Sequence, residues 1–317
     1  MPAKVTLSRI TGHLRQFRRE LAARFRPQDV MDDSNPRAGL FPDKRLSLQD
    51  FGGLKLLVMR DEPVVQLMHH QASHPADRFI EAIVGALTTQ GTPMIHLDIG
   101  TNYGLDLCHT AKTVFARQAD AHVAGFDPGV VRDLVQHNLA LNDLAGHVSF
   151  FPMAIADKPG FLALYGEQDH SENNRIFNPM KLHTKSSLAA ATTIDAYVSA
   201  LDRPNAPIFM KVDTQGAEPE VFAGGAQTLA AHPCVIISEF TPWAIETRHD
   251  AVAFLARLMA SHEVFDLRHD RSACVPVSDA QAFTAEVKIR PETWADILLL
   301  PKNAPLITAS IKASLGL

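Results

Sequence analysis

Cysteine is scarce in this chain. Its 317 residues hold three, Cys108, Cys234 and Cys274, far apart and without a Cys-x-x-Cys pair. Such an odd, sparse set excludes a disulfide framework and a zinc-finger arrangement. It points to a reducing compartment, so a cytoplasmic location is expected. Long apolar runs are also absent. No stretch approaches the roughly 20 residues that cross a bilayer, and the first residues lack the apolar core of a secretory leader. Neither sign of charge is in large excess. The formal net charge of −5 leaves no electrostatic footprint for nucleic acid. No His/Cys cluster has ligand spacing, so no metal is expected.

What the chain does have is a strand, turn and helix at 94–105, opening MIHLDIGTNYG. A short apolar run crosses Asp98 and ends in a turn bounded by Gly100 and Gly104. A helical pattern starts at Leu105. This is the first half of a βαβ unit, and its glycines suit a backbone that turns sharply and admits a ligand closely. A dinucleotide fingerprint needs a further glycine between these two, where the backbone meets a pyrophosphate. Thr101, Asn102 and Tyr103 stand there instead, and Asp98 would repel a phosphate. S-adenosylmethionine fits better, with no phosphate and with an ammonium and a sulfonium on its methionine half. An NAD-linked oxidoreductase is therefore the weaker reading. A plain βα turn without a ligand is the reading without function.

Upstream, residues 4–26 are basic and carry Leu7, Ile10, Leu14, Phe17 and Leu21 at helical spacing. Such a helix suits a membrane surface. More simply, it packs on the domain or on a second subunit of a homo-oligomer. Residues 27–53 read as a linker with turns, 54–59 as a strand and 64–90 as helical. The expected division is an N-terminal extension over 1–90 and an α/β domain over 91–317. Strands are expected at 94–99, 122–126, 149–155, 161–165, 208–212, 234–238, 264–267 and 297–300. Helices are expected at 105–117, 129–141, 193–201 (with Asp195 as a cap), 218–230 and 249–261, and a polar loop at 167–175. The alternation predicts a mainly parallel sheet with helices on both faces.

Four of these strands end in an acid: Asp98, Asp127, Asp213 and Glu239. In an open parallel sheet, ligands bind outside the carboxyl ends of the strands. Four acids there mark a site, although each alone reads as a cap or a solvated turn residue. Asp127 lies about twenty residues beyond the glycine turn, where an acid accepts from ribose hydroxyls.

The segments DIGTNYG (98–104), AGFDP (124–128), HNLALN (137–142), AIAD (154–157), TTID (192–195) and KVDTQGAE (211–218), closed by VIISEF (235–240), resemble in their order the FkbM family of S-adenosylmethionine-dependent methyltransferases. The resemblance covers residues 94–240. It implies the class I methyltransferase (Rossmann-like) fold, a mainly parallel seven-stranded sheet with one antiparallel strand near an edge. It implies S-adenosylmethionine bound at Asp98, Gly100, Asn102, Gly104, Asp127 and Asp157. It also implies O-methylation of a hydroxyl on a sugar or secondary metabolite, hence a small-molecule or glycan acceptor. Two positions depart from the family pattern. The second-strand acid, usually Glu, is Asp127. The acid that usually precedes Gly-Ala-Glu is Gln215. The latter change suits a different substrate, or a non-catalytic scaffold that binds the cofactor.

A hydroxyl is a poor nucleophile until its proton leaves, so methyl transfer to oxygen calls for a positioned base. Asp213, Glu239 and His170 are the candidates. Asp213 ranks first because the family motif places it beside the cofactor. Lys211, on the same strand, is expected to pair with a nearby acid or to pack its stem at the core edge.

Overall fold

A computed structural model describes residues 46–60, 62–73, 77–89, 93–117, 119–167, 170–177, 185–268 and 273–317. The basic helix expected at 4–26 lies outside the described residues. β1 (Leu46–Phe51) and β2 (Leu54–Met59) precede α1 (Pro63–Ser73) and α2 (Asp77–Thr88). Next come β3 (Met94–Ile99), α3 (Leu105–Ala116), β4 (Ala121–Phe126), α4 (Arg132–Leu141) and β5 (Val148–Phe151). β6 (Ala154–Ile155), β7 (Gly160–Glu167), β8 (His170–Arg175) and β9 (Lys185–Thr192) follow. The rest runs α5 (Ile194–Ser199), β10 (Ile208–Val212), α6 (Glu218–Ala223), α7 (Ala226–Ala231), β11 (Cys234–Phe240), α8 (Pro242–Ile245), α9 (Ala251–Ser261), β12 (His262–Asp266), β13 (Val275–Val277), α10 (Ala280–Ile289), β14 (Ala295–Pro301) and α11 (Pro305–Leu315).

The main sheet has the order β13-β12-β14-β11-β10-β3-β4-β5. β5, β4, β3, β10 and β11 pair in parallel, and β14 runs antiparallel to β11 and β12. Those are the seven expected strands. β13 adds an eighth along the edge of β12. Every residue of β3 and β11 is buried, as a sheet covered on both faces requires. One core lies on the side of Ile208, Met210, Ile236 and Phe254. Another, with Phe79, Val114, Phe209 and Val235, lies on the other side. The chain moves outward from β3 through β4 and β5, then returns to lay β10 on the other edge of β3. A crevice opens at such a reversal, at the carboxyl ends of the strands. No helix among the described residues is long and apolar enough to cross a membrane.

Several elements differ from expectation, each for a local reason. Residues 46–51, read as linker, pair with β2 in a two-residue hairpin closed by Gly52 and Gly53, both at positive φ. The helix expected over 64–90 is two helices, with Pro75 between them. The strand expected over 149–155 breaks at Pro152, which has no N–H for a ladder. Its second half, β6, joins a separate sheet of order β6-β9-β7-β8. The supposed loop at 167–175 contains β8, a polar edge strand paired to β7 at Tyr165↔Arg175 and Glu167↔His170. The helix over 218–230 is interrupted between α6 and α7. There Gly224 lies so close to Ala156 that a Cβ would meet its carbonyl oxygen at 2.0 Å. The cap of α5 is Thr193. Asp195 instead accepts from the N–H groups of Gln227 and Thr228 on α7.

The β1–β2 hairpin is clipped to α4 by two side-chain amides. Asn138 accepts from the Leu57 N–H at 2.7 Å and donates to the Leu57 carbonyl at 3.2 Å. Asn142 does the same for Lys55, at 3.1 and 2.8 Å. Four helical residues advance ~6 Å and two strand residues ~6.6 Å, so the HNLALN spacing matches one edge of β2. Asn138 is fully buried and also donates to the Tyr103 carbonyl. Asn138→Leu leaves three buried backbone groups without that partner. It should lower stability by about 3 kcal/mol, read as a lower urea midpoint at unchanged slope.

Candidate active site

The glycine turn is built from both of its flanks. At Gly100 φ is +89°, and a Cβ there would lie 1.8 Å from the Asp213 carbonyl oxygen. The Gly100 N–H donates to the Phe126 carbonyl at 2.9 Å. The Thr101 hydroxyl donates to the Asp98 carbonyl at 2.9 Å and accepts from the Phe126 N–H at 3.0 Å. Asn102, at φ +49°, donates its N–H to Asp127 Oδ2 at 2.7 Å. The other Asp127 oxygen accepts from the Gly129 N–H at 2.6 Å. Asp127 therefore knits together the turns that follow β3 and β4. Tyr103 is fully buried; its hydroxyl donates to Glu62 at 2.6 Å and accepts from the Met59 N–H at 3.3 Å. The hairpin thus braces the turn from behind. Gly104, at φ +87°, leads into α3.

A row of ionisable groups crosses the sheet beside this turn. Side chains in register on neighbouring strands share a face. Asp98 is in register with Lys211, Lys211 with Ile237, and Glu239, two residues further on, with Asp296. Asp98, Lys211, Glu239 and Asp296 therefore lie on one face, all buried. Lys211 donates to Asp213 Oδ2 at 3.1 Å, while 35% of the Asp213 side chain stays exposed. Gln215 donates from its amide to Asp213 Oδ1 at 3.0 Å and to the two Glu239 oxygens at 3.3 and 3.2 Å. Glu218 accepts from the N–H and hydroxyl of Thr214, at 2.8 and 2.9 Å.

Burial and crowding set the charge pattern. Burial pushes Asp98 well above the usual carboxylate range; Asp106, Asp213 and Asp127 add to the rise and Lys211 opposes it. Glu239 is also raised well above that range, by burial first and then by Asp213, Glu218 and Asp296. Burial raises Glu218 to about 7, against the hydrogen bonds from Thr214. Asp127 is raised by burial, against the bonds from Asn102 and Gly129. Burial and the neighbouring acids thus favour the protonated form of Glu239. Asp213, by contrast, is paired with a lysine and partly open.

Asp98, Gly100, Asn102, Gly104, Asp127, Asp213 and Glu239 thus gather at the carboxyl ends of β3, β4, β10 and β11. Asp157 is exposed just past β6, its backbone against Gly224, apart from the hydrogen bonds described for the turn and the acid row. His170 opens β8, opposite Glu167. Arg175, at the other end of that strand, reaches the cluster through Gln215. Sequence reasoning missed Arg175, Glu218, Asp296 and Glu62 as parts of the site. Glu218 stood in the quoted KVDTQGAE motif; the other three carried no local signal. Among the described residues, no group of three or more His, Cys, Asp or Glu could hold a metal ion.

A family model described as "Methyltransferase FkbM domain" matches residues 98–266, just over half of the chain. No curated protein matches the chain in sequence. Among solved structures, the chain is similar to an O-methyltransferase from Bacillus cereus in complex with SAH. The identity is 11%, 92% of this chain and 91% of that one are covered, and the TM-score is 0.39. It is also similar to a cofactor-bound protein from MTB, with 11% identity, coverage of 73% and 81%, and a TM-score of 0.38.

Proposed function

Because the chain belongs to the FkbM methyltransferase domain family, we propose that it transfers a methyl group from S-adenosylmethionine to a hydroxyl oxygen of a small molecule or glycan, in the class of sugars and secondary metabolites. The observation that carries this reading is the convergence of Asp98, Asp127 and Asp213 on the Gly100 turn. The cofactor side suits a cationic ligand. Asp98 Oδ2 is a buried acceptor without a hydrogen-bond partner, and a positive group beside it favours the charged carboxylate. Asp98, Gly100, Asn102, Gly104 and Asp127 would hold the cofactor; Asp157 keeps its place in that set on the family motif alone. Bound S-adenosylmethionine supplies an electrophilic methyl carbon on a sulfonium. Asp213 takes the proton of the acceptor hydroxyl, and Glu239, whose protonated form burial favours, can donate a hydrogen bond to an acceptor oxygen. A hydroxyl acceptor is the class that needs such a base.

Calorimetry should show binding of S-adenosylmethionine and S-adenosylhomocysteine; tighter binding of NAD would sink the reading. A screen of sugars and metabolites with labelled methyl donor should then return an acceptor. Cofactor binding without transfer to any of them would favour the scaffold reading. Asp127→Ala removes an acceptor for ribose and unties the Asn102 and Gly129 turns. It should weaken cofactor binding by roughly 2–4 kcal/mol, and an unchanged dissociation constant would place Asp127 off the ribose.

A further inference from the structure

Gln215 stands where the family pattern has an acid, and its surroundings give that exchange a physical role. Its backbone is left-handed, at φ +58°. Two arginines hold the turn. Arg175 donates from Nη1 to the Gln215 carbonyl, and Arg248 from Nη2 to the Gly216 carbonyl at 3.1 Å. Arg175 also donates from Nη2 to Gln215 Oε1 at 3.2 Å. A guanidinium only donates, so this bond fixes which end of the amide is oxygen. The NH2 end must then face Asp213 and Glu239. The guanidinium itself lies 4.9 Å from the Trp243 ring and 5.9 Å from that of Phe177.

We propose that Gln215, oriented by Arg175, is the positioning residue for the base. It holds the Asp213 oxygen that does not face Lys211, and it keeps the Glu239 carboxyl alongside. This rests on the reading of Asp213 as the base. Facing Asp213 are Lys211 from its own strand, Asp98 from β3, Asp127 beyond β4, Glu218 from α6 and Glu239 from β11. A carboxylate at 215 would add one more negative charge to that set and would donate nothing when ionised. An amide adds no charge and has two N–H groups for two carboxyls. Arg175 ends β8, so this side chain links the second sheet to Gln215 and through it to the base.

The first readout needs no ligand. In protein with 13C-labelled Asp and Glu carboxyls, Asp213→Asn identifies the Asp213 signal. Gln215→Leu removes a hydrogen bond donated to the charged form, so Asp213 should titrate about one pH unit or more higher than in the unaltered protein. Arg175→Met leaves the amide but frees its orientation, and should move Asp213 the same way by less. An Asp213 titration unmoved in both variants overturns the proposal. If Gln215→Leu does not fold, Arg175→Met alone decides in the same sense. The second readout uses labelled S-adenosylmethionine and the acceptor returned by the screen. Gln215→Leu should lower kcat about tenfold, leave KM for S-adenosylmethionine unchanged and raise the acidic limb of the pH profile. Suppose the titration moves as expected but Asp213→Asn turns over normally. The base assignment and this proposal then fall, while the methyltransferase reading survives. Absence of cofactor binding would instead remove that reading and leave the titration result standing.

Discussion

Asp213→Asn should cut methyl turnover by about a hundredfold or more while S-adenosylmethionine affinity changes little. The substitution keeps the size of the side chain and removes its charge. It leaves the Asp213 N–H bonded to the Ile99 carbonyl, so the junction of β10 with the glycine turn survives. On the proposed reading, what is lost is the acceptor for the hydroxyl proton, together with the ion pair between Asp213 and Lys211. Single-turnover rates at saturating cofactor, set beside calorimetric affinities, separate the outcomes. Lost affinity with normal turnover would make Asp213 a cofactor residue. No change in either would make it a turn residue at the entry to α6, and the base would then be sought at Glu239 or His170. Glu239 is the weaker candidate, because burial and the neighbouring acids favour its protonated form, and only the ionised carboxylate can take the proton.

Gly100→Ala should be the most destructive change of a single methyl group in the turn. Two costs add. The left-handed backbone disfavours any L side chain by ~1–2 kcal/mol, and the new Cβ would lie 1.8 Å from the Asp213 carbonyl oxygen. That contact is with backbone, so relief requires β10 to move away from β3. We expect a loss of about 4 kcal/mol or more, or no folded protein, with cofactor binding abolished in either case. Gly104→Ala is the control. Its φ is also positive, but the nearest atom to the new Cβ is a Val135 methyl at 3.5 Å, so only the backbone cost should appear. Thermal unfolding of the two variants side by side tests the difference. Equal destabilisation would mean that the close approach relaxes cheaply.

The central strands were legible because they are buried on both faces and so read as short apolar runs between helical patterns. The acids at their ends were legible for the same reason: a charge that stops an apolar run is conspicuous. Lys211 pairs with Asp213, one of its two expected arrangements. The hairpin carried a local signal, LSLQDF–GG–LKLLVM, which was passed over because the stretch before it is rich in turn formers. β8 carried none: HSENNR is polar throughout, and only the edge of β7 makes it a strand. The long-range partners were not legible for a different reason. Arg175 meets Gln215 through the placement of the second sheet, and Asp296 meets Glu239 through the register of β14 on β11. Neither contact leaves a mark on nearby residues. Asp157 entered through a motif alone, and burial gives it no support.

The amide clip between α4 and β2 also has a kinetic consequence. Its bonds join residues 81 and 87 positions apart in the chain, whereas the hairpin's own turn closes over two residues. The hairpin can therefore form locally, but its docking must wait until β3 through α4 is in place, since loop closure is slow and costly at that separation. If the clip forms after the main barrier, Asn138→Leu should speed unfolding and leave the refolding rate nearly unchanged. Tyr103 ties the same hairpin to the glycine turn, so the cofactor turn would be among the last parts of the molecule to become rigid. Bound S-adenosylhomocysteine should then slow unfolding more than it speeds refolding.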